Sequence, residues 1–460
     1  MLATGLIAID ATILATAVPS VVAELGAFEQ FPWLFSTYLL AQAVSVPIYA
    51  KLGDTVGRKP IILVGVGLFL AGSVLCGLAW DMTALIIFRI VQGLGAGAVA
   101  PMSMTIVGDI YSVEERAQVQ GYIAGVWAAS SVIGPALGGL FSQFASWRWI
   151  FFVNIPLCLV AGWALLRSYH EVVESRRHRI DYPGAVVLTI GLTALILALL
   201  QGGNAWPWVS WPSLAAIGIG VLALAVFPAV ERRAAEPILD LTILARPLIR
   251  TSTLISVGVG ALLIGVTSFV PTYLENSIKV VPLVSGAAVA ALTLGWPLAA
   301  SNAGRLYLRW GYRTTVTAGS LVALAGAIAL AATGPWPHPI STAIACFIIG
   351  FGLGWTAAPS LIAAQASVDW NERSVVTGVV IFARTAGSAV GVALFGAIAN
   401  NLIAAGAGPH DYPTIVGAST WVFVAVAATA VLMVFAGRAL PRGSVDDPAY
   451  SPQPAQAPAS

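Results

Sequence analysis

Fourteen apolar segments, each about twenty residues long, follow one another along the chain and are joined by short loops. A helix of about 20 apolar residues crosses the hydrocarbon core of a bilayer, where its backbone polar groups must bond within the protein. The sequence therefore predicts an all-α polytopic membrane protein with 14 transmembrane spans. The predicted spans are 2–22, 32–50, 60–79, 83–107, 117–140, 149–167, 183–201, 212–230, 252–272, 283–302, 314–333, 339–362, 375–402 and 414–437.

The composition supports the same fold class. Of the 460 residues, 58% are hydrophobic and 9% are charged, whereas a soluble domain carries about 25% charged residues. A single large soluble core is therefore excluded. The three cysteines, Cys76, Cys158 and Cys346, lie within apolar runs without ligand spacing, so we interpret them as core residues rather than disulfide or metal sites.

The distribution of basic residues predicts the orientation, because Lys and Arg are retained on the cytoplasmic side of a membrane. Of the 22 Lys and Arg, 18 fall in alternate loops or in the carboxyl-terminal tail. The opposite loops hold Arg148 and Lys279, while Arg89 and Arg384 lie inside predicted spans. We therefore expect an even number of spans, both termini in the cytoplasm and a location in the inner (plasma) membrane.

Two loops at equivalent places resemble each other. YAKLGDTVGRKP follows span 2 and NAGRLYLRWGYR follows span 10, and each is a basic, glycine-containing turn within a six-helix group. Many secondary transporters build a central site from repeats of this kind. The predicted organisation is a first six-helix half at 1–168, two inserted spans at 182–231, a second six-helix half at 250–438 and a disordered cytoplasmic tail at 439–460.

Asp10 is the one carboxylate predicted near the middle of the membrane, within LATGLIAIDATILATAVPSVV. Inserting an ionisable group at that depth costs roughly 2.5–3.5 kcal/mol or more, so it normally faces a polar cavity or a partner. We interpret Asp10 as a carrier of protons that water can reach in that cavity. The alternative is an acid that only fixes helix packing through a hydrogen bond.

Arg89 lies about six residues into predicted span 4 and should also seek a partner. Asp10 is the obvious one. Counted from the outer helix ends at 1.5 Å per residue, the two residues are offset by roughly 9 Å, so we expect their contact to need a water or a conformational change. The alternative role for Arg89 is a fixed donor to backbone carbonyls.

Two further motifs indicate moving parts. Glycines in KLGDTVGRKP allow a tight turn that holds a carboxylate among basic groups, which predicts a conformational latch at Asp54, Gly57, Arg58 and Lys59. GPALGG places small residues beside a proline, which suits a hinge between helices at Gly134, Pro135, Gly138 and Gly139. The alternatives are an ordinary positive-inside turn and simple glycine packing.

Polar and aromatic side chains within spans are candidates to line a substrate cavity, since aromatic faces bind planar drugs and attract lipophilic cations. Arg384 in span 13 is expected either to extend toward the cytoplasm or to pair across the helix bundle. The cavity candidates are Thr12, Thr16, Tyr38, Gln42, Trp127, Trp296, Asn302, Trp355 and Gln365.

The order of these motifs resembles the major facilitator superfamily. The loop after span 2 is similar to the signature loop of that family, with Ala50 where the family usually has glycine. The residues that carry this match are Leu52, Asp54, Gly57, Arg58 and Lys59.

Two more motifs are similar to the fourteen-span drug:proton antiporter branch of this superfamily, IDATILATAVP in span 1 and WRWIFFVNIP before span 6. RIVQGLGAG in span 4 is similar to a motif of the superfamily, and GPALGG in span 5 is similar to its antiporter motif. The resemblance implies an antiporter and associates Arg89 with proton coupling. Relatives with a second acid in the later half differ from this chain, where Glu275 lies at a span end, which argues against dicationic substrates.

The function predicted from these residues and from the resemblance is a proton-coupled antiporter that exports amphipathic drugs or related organic compounds by alternating access. One alternative is a dedicated exporter of a single endogenous metabolite, and another is a membrane receptor that transports nothing. The expected partners are a small-molecule substrate, protons and the lipid bilayer, and we expect a monomer. The sequence shows no enzyme constellation, metal site, cofactor site or nucleic-acid-binding stripe.

Overall fold

The structure is a computed structural model that describes residues 2–110, 113–168, 181–202, 205–234, 237, 241–368, 373–406 and 411–441. This part of the chain is helical almost throughout. It contains one isolated β-bridge, between Gly202 and Trp206. The predicted tail lies outside the described residues from position 442 onward.

The helices fall into three consecutive groups. The first comprises α1 (Leu2–Leu25), α2 (Phe31–Val56), α3 (Arg58–Gly77), α4 (Met82–Ile110), α5 (Val113–Phe144), α6 (Trp149–Phe152) and α7 (Asn154–Ser168). The second comprises α8 (Tyr182–Gln201) and α9 (Trp211–Glu231). The third comprises α10 (Leu241–Ala245), α11 (Pro247–Ile278), α12 (Pro282–Thr333), α13 (Pro339–Ala366), α14 (Arg373–Ala405) and α15 (Tyr412–Ala439).

Within the described residues, 11 helical segments are long and apolar enough to cross a membrane. The 52-residue α12 counts once among them, although non-helical dihedral angles at Gly311 divide it into two arms. Helices α2 and α5, of 26 and 32 residues, are also long enough for a bilayer but are not among the 11. The fourteen-span count therefore stays a prediction.

Contacts between helices explain how the groups assemble. Helices α1 to α7 pack mainly on one another, as do α11 to α15, whereas α8 and α9 pair together beside α2 and α14. Leu188 and Phe227 of this pair share an apolar cluster with Ala43 of α2 and Phe382 of α14. The inserted pair therefore covers one side of the seam between α2 and α14.

Glycines bring α4 close to two neighbours. A side chain at Gly93 would overlap the Tyr38 carbonyl oxygen of α2, and one at Gly95 would overlap the backbone of Phe69 on α3. At Gly97 it would overlap the Ser45 hydroxyl. Small residues at this spacing let helix backbones approach within a membrane, where there is no hydrophobic force between helices. The RIVQGLGAG motif thus fixes α4 between α2 and α3.

We call the end of the bundle that holds Leu25 and Phe31 the outer end, because its loops contain few basic residues. This end joins the first and third helix groups. The Ser36 hydroxyl donates to the Ala389 carbonyl oxygen at 3.1 Å, and the Asn400 amide donates to the Glu29 carbonyl oxygen at 2.7 Å. Next to them, the rings of Phe31 and Phe269 meet edge to face at 5.2 Å. These contacts close the outer end in this conformation.

Gly57 and Gly311 occupy matching places in the two repeated loops, and both have backbone angles that side chains rarely adopt. Gly57 has φ 108° and ψ 151°, and Gly311 has φ 77° and ψ 163°. Such conformations are essentially restricted to glycine. The shared geometry supports the repeat that the two loop sequences indicate.

Alanine at either turn is expected to destabilise the protein by roughly 1–3 kcal/mol, the cost of forcing a Cβ into this region. The measurement is the thermal unfolding midpoint of Gly57→Ala and Gly311→Ala in detergent. Gly304→Ala is the control, because Gly304 lies in α12 with open space around it. An unchanged midpoint in both turn variants would contradict the assigned strain.

Candidate functional site: the buried Asp10 cluster

Asp10 lies in the interior of the first helix group, where its side chain is 1% exposed. Helix α1 packs against α4, α5 and α7, so the carboxylate faces protein rather than lipid. Asp10 Oδ2 forms a salt bridge with Arg89 Nη1 of α4 at 3.0 Å. Both partners are almost fully buried, which makes this a dry ion pair.

Two amides hold the other carboxylate oxygen. Gln92 Nε2 donates to Asp10 Oδ1 at 2.8 Å, and Asn154 Nδ2 of α7 donates to the same oxygen at 3.0 Å. Both amides also donate to the Ser73 hydroxyl of α3, at 2.8 Å and 3.2 Å. A carboxylate that accepts from three donors on two helices has its oxygens bound by two amides as well as by the guanidinium.

Arg89 connects this cluster to α2. Its Nε donates to the Leu34 carbonyl oxygen at 3.2 Å, and its guanidinium carbon lies 3.9 Å from the centroid of the Tyr38 ring. Its Nη1 also donates to Gln92 Oε1. The arginine therefore fills both roles that the sequence left open, because it pairs with Asp10 and donates to a backbone carbonyl.

The expectation that Asp10 and Arg89 need a water or a conformational change to meet is wrong, since they are in direct contact. That expectation assumed that the two helices are parallel and that their outer ends lie at the same depth in the membrane. It also left out the length of the arginine side chain. In the structure α1 continues to Leu25, three residues beyond the predicted end of the span. Counting residues from helix ends was therefore a poor measure of relative height.

The expectation that water reaches Asp10 through a polar cavity is also wrong for this conformation. The side chain is sealed by Arg89, Gln92 and Asn154, each of which is at most 2% exposed. The amide and guanidinium donors replace water here, so the charge is compensated without a cavity. Any exchange of protons with solvent requires this packing to open.

Sequence reasoning missed three members of the cluster as functional residues. Gln92 and Asn154 lie within motifs that resemble the family but were given no role, and Ser73 lies outside those motifs. The spacing of Gln92 three residues after Arg89 puts both on one helix face and could have indicated it. Nothing in the sequence joins Ser73 or Asn154 to Asp10, because that contact depends on how α3 and α7 pack.

Several predicted cavity residues contact neighbouring side chains or helices. Tyr38 is 2% exposed beneath Arg89, and its role in a substrate cavity stays a prediction. Thr12 donates to the Ser130 carbonyl oxygen of α5 at 3.2 Å, Thr16 donates to the Pro135 carbonyl oxygen at 3.3 Å, and Gln365 donates to Thr377 at 2.7 Å. These hydroxyls and this amide bind neighbouring helices.

The remaining cavity candidates fall in both halves. Gln42 is half-buried on α2, while Trp296 and Trp355 are half-buried on α12 and α13. Asn302 is exposed and donates to the Leu298 carbonyl oxygen of its own helix at 3.1 Å. The Trp127 side chain lies outside the described residues. Cavity lining by Gln42 and the tryptophans stays a prediction.

The predicted latch lies where α2 ends and α3 begins. Lys59 Nζ donates to the Leu166 carbonyl oxygen near the end of α7 at 3.0 Å, and Arg58 is half-buried at the first position of α3. The Asp54 side chain lies outside the described residues. The loop thus ties α3 to α7, and its role as a latch stays a prediction.

The predicted hinge GPALGG makes two different kinds of contact. Side chains at Gly134 and Gly138 would overlap the Thr12 and Thr16 hydroxyls of α1, within the same half. A Cβ at Gly139 would lie 2.9 Å from the Leu283 Cα and 2.9 Å from the Pro282 carbonyl oxygen of α12, in the other half. Gly139 therefore lies at the seam between halves, and so does the Pro135 carbonyl oxygen, which is 2.8 Å from a Cβ built at Gly286 of α12.

Gly138→Ala is expected to lower the thermal unfolding midpoint, because its Cβ would press α1 and α5 apart at the Ile13 carbonyl oxygen. Overpacking of this kind costs roughly 1–3 kcal/mol. Gly125→Ala is the control in the same helix, since nothing lies within 4 Å of a Cβ there. Equal midpoints for the two variants would contradict close packing of α1 on α5.

The WRWIFFVNIP motif fixes the outer end of α1. Glu24 forms a salt bridge with Arg148, and Trp147 Nε1 donates to Glu24 Oε2 at 2.8 Å. Arg148 Nη2 also donates to the Ala79 carbonyl oxygen after α3 at 3.1 Å. The same motif places Asn154 against Asp10, so it links the surface of the protein to the buried cluster.

Comparison with known proteins agrees with this architecture. Residues 1–392 match the family model described as Major Facilitator Superfamily. The chain is 31% identical over 398 residues to "Multidrug resistance protein 3" of Bacillus subtilis (strain 168), covering 86% of this chain and 77% of that protein. It is 32% identical over 419 residues to "Efflux pump FUS6" of Gibberella moniliformis, covering 87% and 73%.

Solved structures share the fold at low sequence identity. The nucleoside transporter NupG superposes with a TM-score of 0.67 and 12% identity, covering 96% of this chain and 98% of that chain. A D-xylose-proton symporter superposes with a TM-score of 0.66 and 12% identity, covering 98% and 97%.

The fold and the relatives define the class as a multi-pass membrane transporter, which is not an enzyme. The chain belongs to the major facilitator superfamily.

Proposed function

We propose that this protein is a proton-coupled antiporter of the fourteen-span branch that exports amphipathic organic compounds, including antibiotics. The observation that carries the proposal is the buried ion pair between Asp10 and Arg89, which joins α1 and α4 and reaches α2. An ionisable pair inside a membrane is costly and is typical of proton pathways in transporters. The similarity to a multidrug resistance protein and to an efflux pump supports an efflux function.

Protonation of Asp10 would remove one charge of the pair and leave Arg89 buried without a counter-ion. An uncompensated buried charge costs several kcal/mol, so protonation favours any conformation in which Arg89 finds water or another partner. Arg89 also holds α2 at Leu34, and α2 bonds to α14 at Ser36. Proton binding at Asp10 would thus loosen a contact that runs to the seam between halves.

The proposed cycle begins from this conformation. The outer end is closed and Asp10 is paired, which fits a conformation that takes up substrate from the inner side. A proton taken from outside in the outward-open state would release substrate and neutralise Asp10 for the return. The two facing states must differ in affinity for the proton and for substrate, since only that difference couples the two.

Everted membrane vesicles test the proposed function. Substrate accumulation should require an imposed proton gradient, acid inside, and should collapse when an exchanger of protons and potassium dissipates that gradient. Accumulation that persists without any proton gradient would remove proton coupling while leaving a transporter.

A panel of compounds separates the two export hypotheses. Transport of several chemically unrelated compounds supports multidrug export, whereas transport of one compound favours a dedicated exporter of an endogenous metabolite.

The same vesicles test the orientation of the chain. If the termini are cytoplasmic, protease added outside the everted membrane should cleave a tag on the carboxyl terminus.

A further inference from the structure

Arg384 on α14 is the second arginine that lies within a predicted membrane span. Among the described residues, no carboxylate lies within 4.0 Å of its guanidinium, and its Nε is buried without a hydrogen-bond partner. The guanidinium therefore makes no described ion pair across the bundle, and its extension toward the cytoplasm stays a prediction. The side chain instead lies against Trp296 of α12.

The surroundings of Arg384 place it among several helices of the second half. Its backbone packs on Gly260 of α11, while its guanidinium carbon lies 5.8 Å from the centroid of the Trp296 ring. The Trp296 carbonyl oxygen in turn packs on Gly354 of α13. Helix α12 is not a main neighbour of α14, so the arginine side chain spans the gap between them.

The two membrane arginines differ in how their charges are compensated. Arg89 is 2% exposed and has a carboxylate, a carbonyl oxygen and an amide oxygen as partners. Arg384 is partly exposed, and an aromatic ring at 5.8 Å is near the distance limit of about 6 Å for a cation–π interaction. Charged side chains inside membranes normally have partners or face a route for substrates.

We propose that Arg384 and Trp296 form a binding subsite for the anionic group of an aromatic substrate, such as a carboxylate or sulfonate on a planar ring. The guanidinium would bind the anion through paired N–H donors, and the indole would stack on the ring. Both residues are partly exposed, and the Arg384 Nε has no described partner. The proposal rests on the proposed function.

A matched series of fluorescent compounds tests the subsite in purified full-length protein. The series is anthracene-9-carboxylate, its uncharged carboxamide and the cationic anthracen-9-ylmethylammonium, and the measurement is the equilibrium dissociation constant of each. The wild type should bind the carboxylate about tenfold or more tightly than the carboxamide, the size expected for hydrogen bonds to a charged group. The ammonium compound should bind most weakly.

Two variants assign the preference to Arg384. Arg384→Gln should lose the preference for the carboxylate while its affinity for the carboxamide stays within about twofold, because the ring contact with Trp296 remains. Arg384→Lys keeps the charge and should retain part of the preference. Since Arg384 has no described ionic partner, Arg384→Gln should leave the thermal unfolding midpoint unchanged, unlike a variant of a residue with a structural role.

The outcomes separate the subsite from the proposed function. An unchanged carboxylate preference in Arg384→Gln, or tighter binding of the ammonium compound by the wild type, would overturn the subsite even if proton-dependent transport persists. A preference that depends on Arg384 in a protein that moves no compound with a proton gradient would keep the subsite and remove the proposed function. A lower unfolding midpoint in Arg384→Gln with unaltered binding would make Arg384 structural.

Discussion

Replacing Asp10 by asparagine is expected to abolish proton-driven export and to lower the thermal unfolding midpoint. Asparagine has nearly the same shape, so it can keep one hydrogen bond to the amides, but it leaves the Arg89 charge buried without its counter-ion. Breaking a buried pair by removing one partner costs roughly 3–5 kcal/mol. Transport in everted vesicles and thermal unfolding in detergent measure the two effects on one preparation.

The double variant Asp10→Asn with Arg89→Gln distinguishes a proton carrier from an acid that only fixes packing. Removing both charges should recover most of the lost stability, since no uncompensated ion remains in the cluster. Proton-driven export should stay absent, because no group in the cluster can then take up a proton. If the double variant recovers export together with stability, Asp10 has a structural role and the proposed coupling is wrong.

Gly139→Leu is expected to shift the protein toward a conformation that is open at the outer end. The leucine side chain would overlap the Leu283 Cα and the Pro282 carbonyl oxygen of the other half. Because these are backbone atoms, a change of side-chain rotamer cannot remove the overlap. Overpacking by roughly 1–3 kcal/mol would change the ratio of the two conformations about fivefold to 150-fold. Transport should fall because the outer end closes poorly.

Spin labels at the outer end measure this shift. Phe144 and Val281 are 70% and 46% exposed at the ends of the two facing segments, so cysteines there accept labels without entering the core. The three native cysteines are buried, which limits background labelling. The interlabel distance should lengthen in Gly139→Leu and stay unchanged in Gly125→Leu, whose side chain has open space. No change in either variant would contradict closure at Gly139.

The helical architecture was largely predictable from the sequence because a membrane restricts the chain to helices of known length. The class of protein is confirmed by the family match. Exact span counts were less accessible, since α12 continues through Gly311 as one helix of 52 residues. Hydropathy alone cannot tell a turn from a kink within a continuous helix.

The candidate site was only partly predictable. Asp10 and Arg89 are conspicuous because charges are rare in apolar runs, and their pairing follows from the cost of leaving either alone. Ser73 and Asn154 are ordinary polar residues whose role depends on the packing of α3 and α7 against α1. Tyr38 was assigned to a cavity because an aromatic residue in a span can face substrate, protein or lipid, and sequence does not distinguish these.

The two membrane arginines, Arg89 and Arg384, differ in how their charges are compensated. One is neutralised by Asp10 inside the first half, and the other lies beside Trp296 without a described acidic partner. We propose that Asp10, the partner of Arg89, binds the coupling proton and that Arg384 binds substrate. The two ligands would then act on opposite halves of one bundle, and α2 and α14 would connect them.

Proton release from purified protein tests the central claim most directly. Substrate is added to weakly buffered wild-type protein and to the Asp10→Asn, Arg89→Gln double variant, and the pH of the solution is followed. We expect the wild type to acidify the solution, with a larger release at a starting pH low enough for Asp10 to be partly protonated, and the double variant to release none while still binding substrate. Equal release from both proteins, or binding to the wild type without release at any pH, would contradict proton coupling through Asp10.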